Sequence, residues 1–386
     1  MPERIVGTPT TIESNAERMI SYRHQEHSWQ TADGVTHLMV NRGTLSPGAS
    51  LTLYSSSDSG KSWTQSFALE NTNSYATSDG VLVGDDLWLV YSPSDATILF
   101  SVLHYDVARQ TWSLRQTEPV FVSDTDNALN PGLAVDSLVA AWCALVAQDN
   151  ATADTNIRMI QRLPDGSEWV DTGLIFGATD NESIERSARP VLTSNGMGMV
   201  YSVHEKIYWA YRLNDWPASQ AWTDITLFTS AEPVDTDPYA SHFNLAVDSK
   251  KNLHMAVADH GKLLYFRFNN KNQLWAAPRA LTRDIKSNYV QAAVVNETNT
   301  VALLTNNQNG YIRVFQSTDA GKTFVYTDLL THAAAPSGSG ISYANPRVET
   351  PSAVSSPLPV LQQYVDGARQ KLLGFAVPAS VPAAAP

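Results

Sequence analysis

Five residues of types that move protons or hold anions recur at one phase: His27, Asp79, Asn130, Arg189 and His242. Each stands six residues ahead of a turn residue, in order Asp33, Asp85, Asp136, Asn195 and Asp248. Less regular positions further on add Asn288, Tyr289 and the run Tyr343-Ala344-Asn345. A histidine can give or take a proton near neutral pH. An arginine beside it can clamp a carboxylate with two parallel hydrogen bonds. The set suits proton abstraction next to a neutralised carboxylate. Arg189 would hold the carboxylate and His27 or His242 would take the proton. A tyrosine (Tyr239, Tyr75 or Tyr289) would serve the leaving oxygen. Arg23, Asn130, Asn244, Tyr289, Asn345 and Tyr75 would line the substrate. His27 and His242 are expected to face each other across a funnel, with Arg189 beside His242. The plain alternative is a ring of solvated polar groups with no ligand.

The densest stretch is Ser21 to Trp29. Read as an extended strand, it puts Arg23, Gln25 and His27 on one face and His24 and Glu26 on the other. That separation argues against a metal held by His24 and His27. No metal site and no cofactor is expected, and a structural calcium is left open. The single cysteine, Cys143, lies in an apolar run and reads as a buried core thiol. Trp29, Trp88 and Trp142 could stack on sugar faces, but the last two sit in alternating apolar runs and read as core.

What positions such residues is a repeat. Polar turns close on Trp63, Trp112, Trp169, Trp222, Trp275 and Phe324, at successive spacings of 49, 57, 53, 53 and 49. A period of about 50 residues is the length of one propeller blade. Apolar strand pairs run in phase with these aromatics, among them the near copies Leu133-Ala134-Val135-Asp136 and Leu245-Ala246-Val247-Asp248. A seventh unit begins near Asn345 and lacks a fourth strand, while Arg4 to Thr11 is a spare strand at the start. The expected fold is therefore all-β, a seven-bladed β-propeller of four-stranded antiparallel blades. The N-terminal strand would complete the C-terminal blade and remove an open sheet edge. Six blades is the alternative count. A single domain over 1–377 and an Ala/Pro-rich tail over 378–386 follow.

Two turns carry a family resemblance. Ser56-Ser57-Asp58-Ser59-Gly60-Lys61-Ser62-Trp63 and Ser317-Thr318-Asp319-Ala320-Gly321-Lys322-Thr323-Phe324 resemble the Asp-box of sialidase-like β-propellers. In that family the box is a structural turn, so the resemblance implies the fold and leaves the chemistry open. Tyr22-Arg23-His24-Gln25 resembles the same family's opening Tyr/Phe-Arg-Ile-Pro element, with His24-Gln25 in place of Ile-Pro. Arg189 and Arg347 are the positions available for its other arginines, and Glu185 and Tyr343 for its nucleophile pair. In residue types the chain looks closer to propeller polysaccharide lyases such as ulvan lyases. That resemblance implies β-elimination on a uronic-acid glycan. The alternative is a glycan-binding propeller without catalysis, lectin-like or a phage or viral attachment protein.

Composition narrows the partners. A formal net charge of −12 argues against nucleic acid and anionic membranes as partners. No apolar run is long enough to span a bilayer, and the N-terminus lacks a signal-peptide core. Three expectations stand open: the protein stays cytosolic, a leader was trimmed, or it leaves by another route such as a phage particle; a glycan partner fits an extracellular or virion-associated protein best.

Overall fold

The computed structural model describes residues 5–16, 19–20, 22–45, 51–136, 140–163, 166, 168–181, 186–215, 221–230, 242–307, 311–330, 341–342 and 347–379. Their strands form seven sheets, and no α-helix occurs among the described residues. The chain divides into two compact units. Unit 1 comprises Met1–Arg23, His27–Glu70 and His242–Pro386; unit 2 comprises His24–Glu26 and Asn71–Ser241.

Unit 2 holds three meanders of consecutive antiparallel strands. Sheet 2 is Ser78–Val83, Asp86–Ser94, Thr97–Asp106 and Thr111–Val122; sheet 3 is Asp126–Val135, Ala141–Asp149, Thr155–Arg162 and Trp169–Asp180. Sheet 4 is Ser187–Thr193, Gly196–Val203, Lys206–Leu213 and Thr223–Thr229. Unit 1 holds four sheets. Sheet 1 is Ser28–Gln30, Thr36–Asn41, Leu51–Ser56 and Thr64–Ala68; sheet 5 is His242–Val247, Leu253–Asp259 and Lys262–Asn269, with Leu274–Trp275 and Arg279–Thr282 sharing the fourth position. Sheet 6 is Ile285–Val295, Thr300–Asn307, Ile312–Ser317 and Val325–Leu330. Sheet 7 is composite: Ile341–Ser342 and Val348–Glu349 pair with Leu358–Asp366, then comes Arg369–Val377, and Thr8–Ser14 is the fourth strand. Consecutive strands supply six complete meanders, so the alternative count of six replaces the seven blades expected from sequence: the irregular last unit holds only short strands and interrupted pairing. Thr8–Ser14 pairs antiparallel with the last strand, Arg369–Val377, while Ile5–Val6, expected from sequence in the same strand, joins sheet 6 instead.

Apolar side chains fill the spaces between neighbouring sheets. In unit 2, Trp88, Phe100, Leu133, Cys143 and Leu145 pack between sheets 2 and 3. Val146, Met159, Phe176, Met199 and Tyr201 pack between sheets 3 and 4. In unit 1, Leu303 and Phe315 of sheet 6 meet Ala256 and Tyr265 of sheet 5. Cys143 is fully buried, and burial, reinforced by the Asp79 carboxylate, pushes its thiol well above the usual range. Trp29 and Trp88 are buried, and Trp142 packs edge-on against Trp222, so all three serve the core.

Four of the repeating aromatics dock one sheet on another, while Trp112 and Trp275 pack on Tyr105 and Phe268 of their own sheets. Trp169 lies 5.3 Å from Phe100, Trp222 lies 5.5 Å from Phe176, and Phe324 lies 5.0 Å from Tyr265. Trp63 joins Leu361 and Leu372 of sheet 7. The two box turns do the same with backbone. In each, an Asp Oδ1 accepts two successive backbone N–H groups: Lys61 and Ser62 on Asp58, Lys322 and Thr323 on Asp319. Gly60 adopts φ 87°, which lets the turn close, and its N–H reaches the Ser56 hydroxyl. The Gly60 carbonyl then lies 2.0 Å from where a Cβ on Gly374 would stand, so sheet 7 tolerates only glycine there. Sheet 6 repeats the device on sheet 5, where Arg279 donates to the carbonyls of Gly321 and Lys322.

The box carboxylates set an acid limit. The Thr323 hydroxyl and N–H, with Ser317 and Lys322, hold the Asp319 carboxyl well below the usual carboxylate range. A depressed folded-state pKa means full stabilisation above the unfolded value, about 4, lost as pH falls through the folded value. Asp319→Asn is expected to be less stable than the natural protein at neutral pH. The gap should narrow on acidification below that value, as urea midpoints measured across pH would show; a constant gap would exclude the ionised carboxylate as its cause.

Fourth strands follow a second rule. Those of sheets 1 to 5 and of sheet 7 each carry a register shift against the third strand. Such bulges bend an edge away from stray pairing. The fourth strand of sheet 6 is regular, and it is the one covered from outside, by Ile5–Val6 running parallel to Leu329 and Leu330.

Candidate functional site

Those ring positions singled out by sequence that are among the described residues lie in or directly before first strands, but most of them bridge neighbouring segments. In unit 2, Asp79 is 1% exposed, and its two oxygens accept the N–H groups of Glu26 and Leu133, each at 2.6 Å. Asn130 sits at a bulge with φ 53°, a conformation asparagine tolerates, and its amide donates to the Arg186 carbonyl. Arg189 donates to the His24 carbonyl at 2.8 Å and to the Glu26 carboxylate at 3.2 Å. The guanidinium read as a substrate clamp therefore already grips an internal carboxylate. Tyr75 is 70% exposed on the loop before sheet 2.

The alternation expected over Ser21 to Trp29 is replaced by a turn. The strand begins at Ser28, and residues 23–25 are turn and bend. A period-two rule therefore does not apply: Gln25 and Glu26, placed on opposite faces by sequence, bond in unit 2 to the Pro131 carbonyl and to Arg189.

In unit 1, His27 and His242 are 2% and 3% exposed. His27 Nδ1 lies 3.3 Å from an oxygen of Glu349, a fully buried carboxylate. The Ser28 hydroxyl donates to the other Glu349 oxygen at 2.8 Å, and the Gln291 amide approaches at 3.4 Å. Asn244 spans two segments: its Nδ2 donates to the Arg23 carbonyl at 2.5 Å, and its Oδ1 accepts the Ala292 N–H at 3.0 Å. These bridges tie the first strands of sheets 5, 6 and 7 to the segment entering sheet 1.

Beside this buried set lies a half-buried one. The Arg23 guanidinium stands 4.6 Å from the Tyr289 ring centroid and the Arg347 guanidinium 5.0 Å from it. All three residues are partly exposed. Each cation–ring contact contributes about 0.5–2 kcal/mol. Arg347 is anchored by a hydrogen bond to the Ile20 carbonyl. Two cations held on one phenol ring make a place for an anion, and guanidinium groups match carboxylate geometry.

Sequence reasoning found Arg23 and Tyr289 but did not bring them together, and it used Arg347 only for the sialidase reading. It missed Glu349 and Gln291. The available signal was a charged residue within the short run Val348-Glu349-Thr350, in the least regular repeat. Tyr239, Asn345, Tyr343 and Glu185 lie outside the described residues, as does the side chain of Asn288. Among the described residues no cluster of three or more His, Cys, Asp or Glu side chains is arranged to hold a metal.

No protein-family model matches the chain, and no curated protein is similar to it in sequence. Its fold is shared with solved structures. A polysaccharide lyase, an ulvan lyase, superposes with a TM-score of 0.58 at 11% identity, over 97% of this chain and 96% of that one. Another structure of an ulvan lyase, bound to -[GlcA(1-4)Rha3S]-, gives the same figures. A variant of the Aleuria aurantia lectin in complex with Fucalpha1-6GlcNAc gives 0.50 at 12% identity, over 82% of this chain and 99% of that one. At these identities the likeness speaks for the fold alone: the chain is an all-β propeller.

Proposed function

We propose that this propeller binds an acidic glycan at Arg23, Tyr289 and Arg347 and cleaves it by β-elimination next to a uronate. The observation that carries the proposal is the pair of guanidinium groups on one partly exposed tyrosine. The arginines neutralise the uronate carboxylate, which makes the C5 proton more acidic. The Tyr289 oxygen, acting as a phenolate, takes that proton, the electron pair forms the C4–C5 double bond, and the C4–O bond breaks. The departing oxygen receives the proton from Tyr289, so the residue ends as it began. The fold shared with an ulvan lyase is consistent with this chemistry. His27 and His242, first choices as base from sequence, are buried, and the role passes to Tyr289.

That same burial favours a second reading, a non-catalytic glycan-binding propeller. One experiment separates the two. A panel of uronate polymers, ulvan among them, is followed for the ultraviolet absorbance of the unsaturated product, with binding measured in parallel by calorimetry. Product formation supports the lyase. Binding without product leaves the lectin-like reading, and neither removes the acidic-glycan proposal.

A further inference from the structure

We infer that Glu349 is the positioning residue for the Arg347–Tyr289 pair; this rests on the reading of that pair as the acidic-glycan site. Two contacts join Ile285–Val295 of sheet 6 to the segment at Val348–Glu349 of sheet 7. In the partly exposed one Arg347, directly before Val348–Glu349, lies against Tyr289 at 5.0 Å; in the buried one Glu349 meets Gln291 at 3.4 Å. The buried contact is also fastened to sheet 1, because Ser28 and His27 approach the two oxygens of the same carboxylate.

A carboxylate removed from water adds little net stability over an apolar replacement of the same shape. Its hydrogen bonds are directional, however, and three of them reach Glu349 from sheet 6 and from the segment entering sheet 1. They set how far along each other the strands carrying Tyr289 and Arg347 sit. An ionised Glu349 only accepts, so a neutral His27 must carry its proton on Nδ1. The carboxylate thereby fixes one ring tautomer as well as one strand register.

The test uses the full chain with ¹⁵N-labelled arginine and inorganic sulfate as the probe. Ring current from Tyr289, whose centroid lies 5.0 Å from the Arg347 guanidinium, should shift the Arg347 Nε–H proton upfield in the ligand-free natural protein. Glu349→Ala should abolish that shift and weaken sulfate binding by about tenfold or more, and Glu349→Gln should restore part of both. Gln291→Ala, which leaves the carboxylate in place, should lose part of the shift and serves if Glu349→Ala does not fold. Unchanged Arg347 shifts in folded variants would overturn the inference. A natural protein that shows the Arg347 shift but gives no response to sulfate would instead count against the anion site, leaving the positioning role to be decided by the ligand-free spectra.

Discussion

Tyr289→Phe is expected to lower turnover of the acidic polymer by about 10²–10⁴-fold, the scale of removing a general acid–base group. Binding should stay within a few-fold, an estimate that follows from what the substitution leaves behind. The ring remains, so Arg23 and Arg347 keep the surface on which they rest, at 4.6 and 5.0 Å from its centroid. Only the oxygen that carries the proton from C5 to the departing oxygen is lost. The deficit should therefore fall on kcat and leave KM nearly unmoved, the signature of an interaction used in the transition state alone. Steady-state kinetics on the polymer that gives the strongest product signal make the measurement. Retained turnover would take the proton-handling role away from Tyr289 and return it to the histidines.

Much of the fold is legible in the sequence because turns and docking aromatics obey local rules. Asp58 and Asp319 must fold back on the N–H groups that follow them, and they do so with the same partners at nearly the same distances. Trp169, Trp222 and Phe324 recur because each closes the gap to the sheet before it. The polar ring was legible as a set of equivalent positions, but its use was not. Whether a buried asparagine faces a ligand or a neighbouring strand depends on groups brought near it by the fold. Asn244 illustrates this: its partners, Arg23 and Ala292, are remote in sequence. Glu349 was illegible for a related reason. It belongs to the composite sheet, where short strands and interrupted pairing leave no period from which to count. Residues 23–25 misled because a strand pattern was extended into a turn, and turns do not alternate.

Asp79→Ala decides what the polar ring does, and it is expected to be the most destabilising single change among these positions. Asp79 is 1% exposed, and each of its oxygens accepts a backbone N–H at 2.6 Å, one from Glu26 and one from Leu133. Alanine leaves both donors buried and unsatisfied. At about 1–3 kcal/mol for each, the loss is about 2–6 kcal/mol, a large part of the 5–15 kcal/mol typical of a folded domain. Asparagine does not rescue it, because its amide turns a donor toward one of the two N–H groups. The loss also frees the segment that presents the Glu26 carboxylate to Arg189, so the damage should spread within unit 2. Urea midpoints and amide hydrogen exchange at Glu26 and Leu133 measure the outcome. A ligand-facing Asp79 would behave in the opposite way, with stability nearly unchanged and glycan affinity altered. A drop of less than about 1 kcal/mol would mean that water satisfies the two N–H groups. The ring would then have to be read again as a binding surface, with Asn130 and Arg189 beside it.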